Sequence, residues 1–248
     1  MSEPETRVRS EIAEGVLRVT IERPEAKNAL TKSMYHALQS LCERAAQDPQ
    51  IDIVVIEGSN GAFATGGDLK EMLAALESGD SSGLLNYEDV LPFEALRALP
   101  KPTVAKIDGL CLGGGLTLAL MCDVLIASDT SRFAIPEAKV GIVDGHLPRL
   151  LRQTVPPARL RYWSYTGTMF GAAEARDFGL LTHVVPGDAL DAAVEKVVGE
   201  LKASSSAAIA MLKRIFNEVR PLSPMTDAYF TMLQPEVLAR LRAFRDRK

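Results

Sequence analysis

Short strand-like runs alternate with helix-like segments along the first half of the chain, and this alternation limits the possible folds more than any other feature. The strand-like runs are residues 16–22, 52–57, 103–107 and 124–127. The clearest helical segment follows Thr31, a residue type that caps helices. Its apolar residues recur at helical spacing: Met34, Leu38, Leu41, Cys42 and Ala45. Because parallel strands need crossovers that are usually helices, the alternation predicts an α/β fold with a parallel sheet.

The two ends of the chain depart from this pattern. A weaker strand-like run, residues 6–12, is separated from the run 16–22 by a Glu14-Gly15 turn, which predicts an N-terminal hairpin. In the last third the strand signal nearly vanishes apart from residues 182–185, and the spacing becomes that of amphipathic helices. We therefore expect a mainly helical C-terminal region.

The middle of the chain predicts two helices around a loop. Residues 70–79 and 86–99 have helical patterns, whereas residues 78–83 are rich in Ser, Gly and Asp. We expect these loop residues to be mobile.

Charge and cysteine content exclude several classes of protein. With 32 acidic and 28 basic residues, the chain has no basic excess to attract nucleic acid or an anionic membrane surface. The three cysteines have no C-x-x-C spacing, so neither disulfides nor a thiolate metal site is predicted. The apolar stretch 109–128 contains three consecutive glycines and Asp123, which argues against a membrane span. We expect a cytoplasmic protein, because the N-terminus also lacks the apolar segment of a secretory signal.

Glycines stand at two predicted helix starts, Gly66-Gly67 and the triplet 113–115. They can be ordinary turns and close-packing positions, and Asp68 with Glu71 fits a capping box. A dinucleotide fingerprint fails, because it requires glycine where Leu118 stands. An amide N–H at a helix start needs no intrahelical acceptor, so two of them can converge on one oxygen that gains negative charge. That arrangement is what formation of an enolate from a carbonyl requires.

Glu137 follows Pro136 at the end of the apolar run 133–135. By itself it is compatible with a first-turn acid favoured by the helix dipole. Taken together with the two groups of glycines, a carboxylate in apolar surroundings predicts a general base whose pKa is raised by desolvation.

At this point the sequence resembles the crotonase superfamily, the enoyl-CoA hydratase/isomerase group. The matching segments are 21–30 (IERPEAKNAL), 63–69 (FATGGDL), 108–115 (DGLCLGGG), 121–123 (MCD) and 133–137 (FAIPE). Their order and spacing are specific for the fold, and much less so for the reaction. The resemblance implies acyl-CoA thioester substrates and no cofactor other than the coenzyme A of the substrate.

The resemblance also implies an architecture. Residues 1–190 would form a spiral of ββα units, and residues 191–248 a helical region that takes part in assembly into a homotrimer or a dimer of trimers. The loop 78–83 would border the acyl pocket.

Site residues follow from the resemblance position by position. Gly67 and Gly114 fall where the family's two oxyanion-hole N–H groups lie, and Glu137 where its acid/base glutamate lies. The residues on segments that bind coenzyme A or the acyl group are Ala26, Lys27, Ala64, Gly66, Asp68, Leu69 and Pro136.

Thr117 marks a departure from the family pattern. Hydratases of the family carry a second glutamate at this position, and a threonine hydroxyl is not a base near neutral pH. A second departure is the segment 140–150, which contains Asp144 and His146. Asp144 is our candidate for an auxiliary acid, although Asp-Gly also suits a turn. For His146 we favour a hydrogen-bonded loop histidine.

The residues leave two reactions open. One carboxylate suffices to isomerise a 3-enoyl-CoA to a 2-enoyl-CoA, with Glu137 moving a proton from C2 to C4. Hydration of a 2-enoyl-CoA remains open if Thr117 or Asp144 orients the water. The alternative from another class is a non-catalytic acyl-CoA binding protein that kept the fold. A serine hydrolase is disfavoured, because His36, His146 and His183 have no obvious Ser or Asp partners in the sequence.

Overall fold

A computed structural model describes residues 7–77 and 91–217. The strands are β1 (Val8–Ala13), β2 (Val16–Ile21), β3 (Ile53–Gly58), β4 (Ala62–Ala64), β5 (Thr103–Ile107), β6 (Leu110–Leu112), β7 (Val124–Ser128), β8 (Arg132–Ala134), β9 (Phe170–Gly171) and β10 (His183–Val185). The helices are α1 (Lys32–Gln47), α2 (Leu69–Glu77), α3 (Phe93–Ala98), α4 (Gly114–Leu120), α5 (Leu147–Leu151), α6 (Pro157–Thr166), α7 (Ala172–Asp177), α8 (Leu190–Lys202) and α9 (Ser206–Asn217). None of these helices combines the length and apolar character that crossing a bilayer requires.

The larger sheet has six strands in the order β1-β2-β3-β5-β7-β10. The predicted hairpin is confirmed: β1 and β2 are antiparallel, with Val8 opposite Ile21. The other pairs are parallel, as the alternation of strands and helices predicts. The α/β class is therefore confirmed.

Alternate residues of this sheet enter two separate cores. Ile53 and Val55 of β3 face α8, where they pack with Val194 and Val198. Their neighbours along β3 point to the opposite face and join the main core. This burial on both faces is typical of parallel strands and explains why β3 is apolar without interruption.

The smaller sheet, β4-β6-β8-β9, was not predicted from the sequence. β4, β6 and β8 run parallel, and β9 is antiparallel to β8. Each of these strands has only two or three residues, too few to show an alternating pattern. In the last third of the chain, where only residues 182–185 had a strand signal, β9 is an additional strand, and its Phe170 stacks on Trp163 in the core.

The helix caps agree with the sequence in part. The Oγ1 of Thr31 accepts the N–H of Met34 and so caps α1, as predicted. The helix predicted over residues 70–79 is described over 69–77, and the one predicted over 86–99 is described over 93–98. The predicted loop 78–83 and the chain after residue 217 lie outside the described residues. The division at residue 190 stays a prediction; α8, which follows it, packs on the larger sheet.

Candidate active site

Three neighbouring strands of the smaller sheet end at one edge, and each is followed by a predicted site segment. Gly66-Gly67 comes after β4, Gly113-Gly114 after β6, and Pro136-Glu137 after β8. The N–H of Gly113 donates to the carbonyl of Ala134 at 3.0 Å, which ties the second segment to the third. The carboxyl ends of parallel strands are where α/β proteins bind ligands. The strand order therefore brings together groups that lie far apart in sequence.

A cleft of about 690 Å³ opens at this edge. The predicted site residues that line it are Gly66, Gly67, Leu69, Gly114, Pro136, Glu137 and Asp144. Ala26, Lys27, Ala64, Asp68 and Thr117 are not among the described residues that line it. The walls are largely apolar and include Phe93, Ile142 and Val143.

The first glycine turn is fixed by Leu30, which brackets it with two hydrogen bonds. The N–H of Leu30 donates to the Gly66 carbonyl at 2.8 Å, and the Leu30 carbonyl accepts the N–H of Asp68 at 2.9 Å. Gly66 has a φ of +93°, which favours glycine. In the described part of the chain, neither the Gly67 N–H nor the Gly114 N–H donates to a backbone carbonyl. Both therefore retain a donor for a ligand.

Asp68 has a structural role next to this turn. Its Oδ1 accepts the N–H groups of Lys70 and Glu71, which confirms it as the cap of α2. Burial alone would raise the pKa of Asp68, but the Arg23 guanidinium and these N–H groups outweigh burial and lower it. The reciprocal half of the predicted capping box is wrong: Glu71 accepts the N–H of Lys32, because the Asp68 N–H is already bonded to Leu30.

Glu137 is the titratable group whose surroundings favour proton transfer. It begins the short 3₁₀ turn Glu137–Val140, and burial raises its pKa to about 6. Its own backbone N–H acts in the opposite direction, and the charge of Asp144 raises the pKa further. Among the described residues, its Oε2 is buried without a hydrogen-bond partner. A carboxyl group with this pKa exchanges protons readily near neutral pH.

Asp144 and Thr117, 27 residues apart in sequence, are joined by a hydrogen bond. The fully buried Thr117 hydroxyl donates to Asp144 Oδ2 at 2.7 Å. Asp144 Oδ1 accepts the N–H groups of His146 and Leu147 at the start of α5. Asp144 therefore accepts hydrogen bonds within the turn, as a turn acid does, and also lines the cleft. His146 packs edge-on against Phe93, with ring centroids 5.0 Å apart.

Of the remaining predicted residues, Ala64 and Lys27 adjoin the first turn. Ala64 is fully buried at the end of β4. The Lys27 carbonyl accepts the hydroxyl of Thr65, which itself lines the cleft. Ala26 lies in the 3₁₀ turn before Lys27.

The sequence reasoning missed Tyr35, which lines the cleft from α1 and is only 3% exposed. It precedes Leu38 by three residues, so helical spacing places it on the buried face. The hydroxyl group of a tyrosine on this otherwise apolar helix face is the sequence signal that could have identified Tyr35. Within residues 7–77 and 91–217, no group of three or more His, Cys, Asp or Glu side chains is arranged to hold a metal ion.

Comparisons with known proteins point to one family. The enoyl-CoA hydratase/isomerase profile matches residues 11–233. A probable enoyl-CoA hydratase of Mycobacterium bovis is 36% identical over 200 residues, which cover 80% of this chain and 76% of the relative. An enoyl-CoA isomerase/hydratase of Mycosarcoma maydis is 36% identical over 213 residues, covering 80% of this chain and 76% of the relative.

Solved structures agree in fold. The crystal structure of an enoyl-CoA hydratase from Mycobacterium smegmatis matches with a TM-score of 0.89 and 31% identity, covering 99% of this chain and 98% of that one. A putative enoyl-CoA hydratase/isomerase family protein from Hyphomonas neptunium matches with a TM-score of 0.87 and 27% identity, covering 98% and 95%.

Proposed function

Because this chain belongs to the enoyl-CoA hydratase/isomerase family and is an enzyme of that type, we propose that it isomerises 3-enoyl-CoA thioesters to 2-enoyl-CoA through an enolate held in the cleft. The observation that carries this proposal is the contrast between two carboxylates in one cleft. Glu137 has an oxygen without a partner among the described residues, whereas Asp144 accepts three hydrogen bonds. One carboxylate that can exchange a proton is what an isomerisation requires.

In the proposed reaction the thioester oxygen accepts the N–H groups of Gly67 and Gly114. Glu137 removes a proton from C2, the electron pair shifts to the oxygen, and a dienolate forms. The same proton then returns from Glu137 at C4, leaving the double bond between C2 and C3. The backbone donors stabilise the charge that develops on the oxygen without moving.

Hydration of a 2-enoyl-CoA is the second candidate, and the Thr117–Asp144 pair favours it. The pair fixes a carboxylate in the wall of the cleft that Glu137 lines, and Asp144 retains acceptor capacity for a water molecule. Several relatives are named hydratases, which supports the same reaction.

Incubation of the purified protein with a 3-enoyl-CoA and, separately, a 2-enoyl-CoA in deuterated water tests the proposal. We expect the 3-enoyl ester to be converted to the 2-enoyl ester without formation of a 3-hydroxyacyl product. The products are identified by mass spectrometry and NMR. A 3-hydroxyacyl-CoA formed from the 2-enoyl ester would establish hydration instead. Absence of both reactions and of deuterium exchange at C2 would reject both candidates for that acyl group.

We also propose the setting of the reaction. The three cysteines are free and buried in the described residues, which suits a reducing cytoplasm. The crotonase fold supports assembly into a homotrimer or a dimer of trimers. The proposed chemistry uses only the coenzyme A of the substrate, with no further cofactor or metal.

A further inference from the structure

The guanidinium of Arg23, two residues after β2, is held against a peptide carbonyl near the first glycine turn. The side chain is 20% exposed. Its Nη1 donates to the Ala29 carbonyl at 2.9 Å and to Asp68 Oδ2 at 2.5 Å. Its Nε also lies 3.8 Å from the more exposed Glu25 Oε1. The bond to the Ala29 carbonyl is therefore a charge-assisted one, made by a cation that is fixed in place by a carboxylate.

The Ala29 carbonyl begins a chain of two hydrogen-bonded peptide groups. It shares a peptide group with the N–H of Leu30, which donates to the Gly66 carbonyl at 2.8 Å. The Gly66 carbonyl in turn shares a peptide group with the N–H of Gly67. Because electrons are delocalised over each peptide group, a donor at its carbonyl makes its N–H more positive. The chain therefore connects the Arg23 guanidinium to the Gly67 N–H, the first candidate donor of the site.

The loop that carries this chain is fixed by the buried side chain of Asn28. Its Oδ1 accepts the N–H of Arg23 at 2.7 Å, and its backbone N–H donates to the Arg23 carbonyl at 2.9 Å. Its Nδ2 donates to the carbonyls of Ser59 and Ala62, at 3.0 Å and 2.6 Å. These bonds tie the loop to the start of β4, so the guanidinium and the glycine turn keep their relative positions without help from a ligand.

We propose that Arg23 is a positioning residue, which orients and polarises the Gly67 N–H through the peptide groups of Leu30 and Gly67. The inference rests on the proposed function, because that function assigns the thioester oxygen to the Gly67 N–H. Hydrogen bonds in a chain strengthen one another, and full burial of Leu30 keeps water from weakening the middle bond. The benefit is greatest when negative charge develops on the thioester oxygen. Asp68 holds the guanidinium in place and partly offsets its charge.

A spectroscopic test measures the polarisation directly. Hexanoyl-CoA labelled with carbon-13 at the carbonyl is bound to each protein, and its carbonyl stretch is followed by infrared difference spectroscopy. We expect a higher stretch in Arg23→Met than in wild type, because the Gly67 N–H becomes a weaker donor. Arg9→Met is the matched control, since Arg9 is 67% exposed in β1 and pairs there with Glu22. It should leave the stretch unchanged.

Two further variants separate the peptide chain from the ion pair. Asp68→Asn keeps the guanidinium at the Ala29 carbonyl and an oxygen that can cap α2, so the stretch should stay at or below its wild-type value. Arg23→Met alone leaves the Asp68 carboxylate buried without its cation, which destabilises proteins. The double variant Arg23→Met/Asp68→Asn removes both charges, and its stretch should rise as in Arg23→Met.

A kinetic measurement adds a second readout. We expect kcat of Arg23→Met to fall by about 10-fold, less than the 10²- to 10³-fold that loss of a whole oxyanion donor costs. The Kd of hexanoyl-CoA should change by no more than about threefold, because a neutral carbonyl gains less from the stronger donor than an enolate does. Arg9→Met should change neither quantity.

The outcomes distinguish the inference from the proposed function. A stretch that rises in both Arg23 proteins but not in Asp68→Asn supports the role of Arg23, even if wild type turns over neither enoyl ester; only the proposed reaction is then rejected. The role is overturned if either Arg23 protein keeps the wild-type stretch. It is equally overturned if Asp68→Asn raises the stretch as much as Arg23→Met does, since the ion pair and not the peptide chain would then be responsible.

Discussion

Glu137 Oε1 lies 2.2 Å from the point that a β-carbon at Gly113 would occupy. The candidate base therefore packs directly on the turn that precedes the second backbone donor, and any side chain at position 113 would displace it. Gly113 also has a φ of +52° and a ψ of −128°, a conformation that other residues rarely adopt. Two constraints, one steric and one conformational, thus require glycine here.

Gly113→Ala should lower kcat by about 100-fold or more, because the added methyl group moves Glu137 and strains the turn. The measurement is steady-state turnover together with binding of a saturated acyl-CoA. Gly199→Ala on α8 is the control, since among the described residues no atom other than those of its chain neighbours and its own helix backbone lies within 4 Å of the added methyl group. Turnover of Gly113→Ala equal to that of the control would contradict the placement of Glu137.

Glu137→Gln should abolish turnover and exchange at C2 while leaving acyl-CoA binding nearly intact. The amide keeps the shape of the side chain but cannot take a proton, and general acid–base catalysis contributes about 10²- to 10⁴-fold. Stopped-flow turnover and calorimetric binding measure the two effects. Retained exchange of the C2 proton for deuterium would remove Glu137 from the role of base.

The pH profile of kcat/KM should rise as Glu137 loses its proton, with a midpoint near its pKa of about 6. Asp144→Asn should move this midpoint to lower pH, because the neighbouring negative charge raises the pKa of Glu137. The comparison requires both profiles in one buffer series. A midpoint that stays in place would mean that Asp144 does not act on Glu137 through its charge.

The same pKa predicts the effect of Glu137 on stability. Its pKa is raised on folding from 4.5 to about 6, so the folded state favours the protonated form. The stability that protonation supplies is present below the unfolded-state pKa and lost as the pH rises through about 6. Glu137→Gln should therefore gain stability relative to wild type between about pH 4.5 and about pH 7.5, as measured by urea unfolding. A difference in unfolding free energy that does not change over this range would contradict the raised pKa.

The Thr117–Asp144 hydrogen bond should appear as a coupling energy in a double-mutant cycle. Thr117→Val keeps the buried volume and removes the hydroxyl, and Asp144→Ala removes the acceptor. Because the acceptor is a carboxylate in the part-buried wall of the cleft, we expect a coupling of about 1.5 kcal/mol or more in the unfolding free energy. Additive effects of the two substitutions would show that the contact does not stabilise the fold.

Features that depend on neighbouring residues were predictable from the sequence. The hairpin, the caps at Thr31 and Asp68, and the strands of the larger sheet follow from local hydrogen bonding and apolar spacing. The smaller sheet was not predictable, because its strands are too short to carry a pattern of their own. Their backbone hydrogen bonds join segments that lie far apart in the sequence.

The same distinction between sequence and tertiary structure applies to the candidate active site. The sequence by itself determined which residue types are available: glycines at two helix starts, and a glutamate after a proline in an apolar run. Only the tertiary structure decided that β4, β6 and β8 end side by side, that Thr117 reaches Asp144, and that Tyr35 lies beside Gly114. The raised pKa of Glu137 is likewise a tertiary property, because burial by segments distant in the chain is its main cause.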